Sequence, residues 1–139
     1  MTGIESTPGT DSVASTIVVG YTAKPEGRAA LERSIRMARA GNSKIVIVHT
    51  APTEEELAGL DEELAATGVP YEIHQAPDVL DPAEELIKVS ENSSDAIIVI
   101  GLRRRSPVRK LLLGSNAQRV LLDASCPVLA VKADGGSRG

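Results

Sequence analysis

"SKIVIVHTAPTEEELAGLDEELAATG", residues 43–68, joins an almost unbroken apolar run to an amphipathic segment, and that order decides the fold class. Residues 43–50 are apolar and β-branched at nearly consecutive positions, as in a strand covered on both faces. From Thr53 the spacing changes. Thr53 and Glu56 have the spacing of a capping box, Leu57, Leu60 and Leu64 recur at helical intervals, and Gly68 closes the segment. That stripe leaves the six acids of residues 54–63 mostly in solvent.

The alternation extends in both directions. Further strand runs stand at 15–20 ("STIVVG"), 71–76 ("YEIHQA"), 95–101 ("DAIIVIG") and 127–132 ("PVLAVK"). A helix from Gly27 to Ala40 puts Leu31, Ile35 and Ala38 on one face, with Gly41 as its stop. In "DPAEELIKVSEN" Asp81 caps, Pro82 takes the first helical position, and Ala83, Leu86, Ile87 and Ser90 share a face. After Gly114, the residues Ala117, Val120, Leu121 and Ala124 repeat the helical spacing. Five strands and four helices without a hairpin signal predict an α/β fold with an open parallel sheet and right-handed crossovers. Residues 1–14 and 134–139, rich in Ser, Thr, Gly and Pro or Gly and Ser, read as disordered tails around a single domain at 15–133.

Composition narrows the function. With 42% hydrophobic residues, no Trp, no Phe and only Tyr21 and Tyr71, the 139-residue chain must build one aliphatic core. A net charge of −4 argues against a general nucleic-acid binder, and the lack of aromatics removes the stacking platforms of single-strand recognition. Cys126 is the only cysteine, which excludes an internal disulfide and makes a cysteine-based zinc site implausible; it reads as a buried filler. No apolar run approaches the ~20 residues of a membrane span, and the first residues lack a signal-peptide plan. A cytoplasmic location is the expectation.

In an open parallel sheet, ligands sit beyond the carboxyl ends of the strands where strand order reverses. The segments to read are therefore "GYTAKPEG", residues 20–27, and "GLRRRSPVRKLLLGSNA", residues 101–117. Neither contains a Rossmann or Walker glycine pattern. Gly101 ends a strand, residues 102–113 form a loop, and Gly114-Ser115-Asn116 opens a helix whose N–H groups could meet a phosphate. The alternative is a capped helix start with no ligand. Arg103, Arg104, Arg105, Arg109 and Lys110 concentrate the positive charge in that loop, as a solvated run, a phosphate contact or, least favoured, a nucleic-acid patch. No catalytic constellation stands out. His49 ends a buried-looking run near the ligand edge, His74 reads as surface-facing, and no nucleophile elbow or clustered metal-ligand set is present.

The strand ending at Gly101, the long loop, "LLLGSNAQRVL" and "CPVLAVK" resemble the universal stress protein family, whose motif runs Gly, two residues, Gly, nine residues, Gly-Ser or Gly-Thr. "IVVGYTAKPEGRAALERSIRMA" is similar to its first strand and helix, and "KIVIVHT" to its second strand. The resemblance spans about residues 15–133 and implies a Rossmann-like sheet in the order 3-2-1-4-5 with helices on both faces. It also implies ATP or another adenine nucleotide at the switch point; no structural metal is expected, since no clustered ligand set is present. By position, phosphates would meet Gly114, Ser115 and Asn116, the ribose would lie near Gly101, and adenine near Gly20, Thr22, Thr50 and Ile100. Two positions depart from the family pattern: Arg104 replaces the second motif glycine, and Thr22 stands where nucleotide-binding members carry an acid. Arg104, with Arg103 beside it, either clamps phosphate or fills the pocket. The readings are a nucleotide-dependent sensor or regulator, a homodimeric interaction module with a degenerate site, and, third, a weak ATPase. Dimerisation through residues 127–132 is expected because an apolar edge strand invites a partner.

Overall fold

The apolar runs become the strands of one sheet. The computed structural model describes residues 15–22, 24–50, 53–76, 82–93, 95–105, 110–112 and 115–133. Their order is β1 (Thr16–Tyr21), α1 (Pro25–Gly41), β2 (Lys44–Thr50), α2 (Glu54–Ala65), β3 (Tyr71–Ala76), α3 (Pro82–Glu91), β4 (Ala96–Arg105), β5 (Lys110–Leu112), α4 (Ser115–Asp123) and β6 (Val128–Ala133). The parallel strands lie in the order β3-β2-β1-β4-β6, with Val18 opposite Val46 on one side and Ile98 on the other. The expected 3-2-1-4-5 order holds, with β6 as its fifth strand.

Side chains alternate across the sheet, so each strand feeds two cores. Ile17, Val19, Ile45, Ile47 and Val99 pack with Leu31 of α1 and Leu60 and Leu64 of α2. Val18, Val48, Ile98 and Ile100 pack with Ala83 and Leu86 of α3 and Val120 of α4. β1 is central and buried from both faces. Strand order reverses between β1 and β4, which places the crevice for a ligand at their carboxyl ends.

Several expectations need correction. β4 does not stop at Gly101; it continues to Arg105 and pairs antiparallel with β5, Arg104 opposite Leu111. The extension is held by tertiary pairing, since β6 runs beside β4 as far as Ala133 opposite Arg103 and supplies backbone partners where a loop would have none. α1 starts at Pro25, two residues before the expected Gly27, because proline is pre-set for the first turn. Its left-handed stop is Asn42 at φ 57°, one residue beyond Gly41. Leu121, assigned to the buried face of α4, is 41% exposed, whereas Glu85 of α3 is buried against His74. The capping box forms as read: the Glu56 N–H donates to Thr53 Oγ1 at 3.0 Å, and the Thr53 N–H to Glu56 Oε1 at 3.1 Å. The two terminal tails, Asp81 and Gly114 lie outside the described residues. No helix among the described residues is long and apolar enough to cross a membrane.

Candidate functional site

A cavity of about 380 Å³ opens at the carboxyl end of β1, beside Ile100, Gly101 and Leu102 in the middle of β4. That size is in the range of small-molecule sites. Its apolar floor comes from Val48, Leu86, Ile100 and Val120, and its rim from Thr22, Lys24, Glu26 and Asn116. The first turns of α1, α3 and α4 all border it, through Pro25's neighbours Lys24 and Glu26, through Pro82, and through Asn116. Three helix starts therefore direct their positive dipole ends at one space, an arrangement suited to an anion.

Glycines let these elements meet. A Cβ on Gly101 would lie 1.9 Å from the backbone carbonyl oxygen of Glu26, so β4 touches α1 directly. A Cβ on Gly27 would lie 2.1 Å from the carbonyl oxygen of Thr22, which brings the first turn of α1 onto the end of β1. Gly20 faces α3, where an added Cβ would come 3.1 Å from Leu86 Cδ1. Thr22 turns the chain between strand and helix: its Oγ1 accepts the Lys24 N–H at 3.3 Å. Lys24 is the N-cap residue of α1 and gives it no side-chain cap.

On the opposite face of the sheet a polar network fixes α1 to α2. Arg28 donates from both terminal nitrogens to Glu63, at 2.9 and 2.8 Å, and from Nη1 to the Tyr21 hydroxyl at 3.4 Å. The hydrogen bonds to Glu63, then the one to the Tyr21 hydroxyl, raise the Arg28 guanidinium above its ordinary value; Arg28 in return holds the Glu63 carboxyl below the usual range. Tyr21 meets the ring of His49 edge-on at 5.2 Å, and His49 Nε2 lies 3.6 Å from Glu56. His49 is buried as its position implied, and His74 is half-buried against Glu85 of α3 rather than turned to solvent.

Of the residues singled out in the sequence, Gly20, Thr22, Ile100, Gly101 and Asn116 come together at the cavity. The side chains of Thr50, Arg103, Arg104 and Ser115, and the whole of Gly114, lie outside the described residues. The backbone of Arg103 pairs with Leu112 of β5 on one edge and Ala133 of β6 on the other, while β1 occupies β4's remaining edge only as far as Val99. β5 therefore continues the line of β1 past its end, on the side where the cavity opens. The sequence reading missed Lys24, Glu26, Gly27, Val48, Pro82, Leu86, Leu102 and Val120 as lining residues. Gly27 gave a usable signal, because a glycine inside a helix is disfavoured by about 1 kcal/mol relative to alanine and needs a packing reason. Glu26 gave none: Oε1 is buried without a hydrogen-bond partner, which only coordinates reveal. Among the described residues no group of three His, Cys, Asp or Glu could hold a metal.

Residues 53–132 match the model of the universal stress protein family. A universal stress protein of Mycolicibacterium smegmatis is 40% identical over 129 residues, covering 86% of this chain and 98% of its own length. Among solved structures, the universal stress protein from Archaeoglobus fulgidus superposes with a TM-score of 0.67 at 27% identity, over 86% of this chain and all of that one. A universal stress protein solved in complex with cAMP superposes with a TM-score of 0.66 at 24% identity, over 88% of this chain and 99% of that one. Identity along nearly the whole chain, the matching family model and the shared sheet order place this chain in the universal stress protein family.

Proposed function

We propose that the chain binds an adenine nucleotide at the end of β1 and acts as a sensor or regulator. The observation that carries this reading is the cavity at the switch point, apolar below and bordered by three helix starts. The base rests on Val48, Leu86 and Ile100, and the phosphates lie toward Gly114, Ser115 and Asn116. The β4–β5 hairpin, which bears Arg103, Arg104 and Arg105, supplies the positive field that an acidic chain otherwise lacks. A relative that holds cAMP in its crystal structure supports the ligand class. Regulation follows from occupancy: phosphates draw the hairpin toward α4, and the ordered hairpin changes the surface offered to a partner. Arg104 clamps phosphate as a forked donor.

Thermal melts of the purified protein with ATP, AMP, cAMP and GTP test the reading. A bound nucleotide at 100 times its dissociation constant adds about 2.7 kcal/mol of stability, and no shift with any of the four refutes it. Arg104→Gly should weaken ATP and flatten its salt dependence; a variant that binds more tightly would show that Arg104 fills the pocket instead. A second reading, a homodimer through β6, is favoured by that strand's position: among the described residues it pairs only with β4, its Val128–Val131 stretch is part-buried, and Leu122 nearby in sequence is 82% exposed. Light scattering of the wild type and Val128→Pro tests it, a dimer that becomes monomeric being the expected result.

A further inference from the structure

We infer that Glu26 is the residue that selects the sugar of the bound nucleotide, accepting hydrogen bonds from its ribose hydroxyls. The inference rests on the nucleotide reading above. Glu26 lines the cavity, its Oε1 is buried with no hydrogen-bond partner, and among the described residues its carboxylate forms no ion pair. An acid in the first turn of a helix is explained by the dipole when it is exposed. Burial of an acceptor oxygen without a donor is not, since it costs free energy until a donor arrives.

The ligand has to bring that donor, and the charge pattern fixes which part brings it. A carboxylate repels phosphate, so the anionic end of the ligand must lie away from Glu26, toward α4 and the arginine-bearing hairpin. The floor of Val48, Leu86 and Ile100 offers no acceptor side chain and suits the flat base. Glu26 lines the cavity with its backbone packed on Gly101 of β4, where the glycine lets the first turn of α1 meet the strand. Between its base and its anionic end a nucleotide carries its sugar, whose hydroxyls are donors. Two adjacent hydroxyls match the two oxygens of a carboxylate, which accepts and cannot donate.

Calorimetric titration of ATP, 2′-deoxy-ATP, 3′-deoxy-ATP and inosine triphosphate into wild type, Glu26→Gln and Glu26→Ala tests this. Wild type should bind each deoxynucleotide about tenfold more weakly than ATP, the scale of one hydrogen bond to a charged acceptor, and Glu26→Ala should bind all three within about twofold. Melting of Glu26→Gln at or above the wild-type temperature is the companion expectation, since no partner is lost. Equal binding of ATP and both deoxynucleotides by wild type overturns the inference and leaves the nucleotide reading standing. Discrimination against inosine triphosphate alone, erased in Glu26→Ala, also overturns it by assigning Glu26 to the base. No heat from any nucleotide overturns both.

Discussion

The helices that follow β1 and β2 begin in opposite ways. α2 is closed by its own sequence: Thr53 and Glu56 exchange hydrogen bonds, and Glu54 and Glu55 add negative charge to the positive end. α1 starts at Pro25 behind an N-cap with no side-chain hydrogen bond, its Glu26 carboxylate has a buried oxygen without a partner, and Gly27 presses on the end of β1. Both starts stand at the carboxyl edge of the same sheet. The satisfied one stabilises the fold, and the unsatisfied one faces the cavity. On the function proposed above, the ligand supplies the partners that the uncapped start lacks.

The largest expected effect opposes two helical glycines. Gly27→Ala drives a methyl group to 2.1 Å from the Thr22 carbonyl oxygen, a backbone atom that cannot swing aside, and should destabilise the protein by about 3 kcal/mol. Gly59→Ala in α2 meets nothing within 4 Å and should stabilise it by about 0.5–1 kcal/mol. Urea unfolding of the two variants reads both; a Gly27→Ala protein as stable as wild type would break the contrast between the helix starts. Next, Thr53→Ala should lose about 1 kcal/mol in the same measurement while leaving nucleotide affinity unchanged, because neither Thr53 nor Glu56 lines the cavity. The smallest effect concerns the Arg28–Glu63 pair that ties the two helices together. Its side chains are each 36% exposed, so solvent limits its contribution to about 1 kcal/mol or less. Arg28 holds the Glu63 carboxyl below its ordinary 4.5; the stabilisation is complete above that pH and disappears as pH falls through the lower folded value. The stability gap between wild type and Glu63→Gln should therefore be open at pH 7 and close as the pH falls through the lowered folded value, and a gap independent of pH would deny the pair this role.

Much of the fold was legible because it is written in local periods. Residues 45–48 are apolar without alternation, as in a strand buried on both faces, and the leucines of α2 recur at helical spacing. The capping box was readable since its donors and acceptors lie three residues apart. The continuation of β4 to Arg105 was not. A run of arginines carries no strand signal, and it is extended here because β6, some thirty residues further along the chain, lies beside it as far as Arg103. Glu85 was unreadable for the same reason: its burial depends on His74 of β3, whose Nε2 it meets.

The site divides in the same way. The glycine-to-Gly-Ser spacing is local and legible, and the family it resembles implied Gly20, Thr22, Ile100, Gly101 and Asn116 by position; these five line the cavity. That Gly101 and Gly27 are points of contact, and that Glu26 Oε1 is buried without a donor, was decided only when α1 was packed on the end of β1 and on β4 at Gly101. Hydrogen-bond satisfaction is a property of what surrounds an atom, and the neighbours of Glu26 come from strands eighty residues apart in the chain.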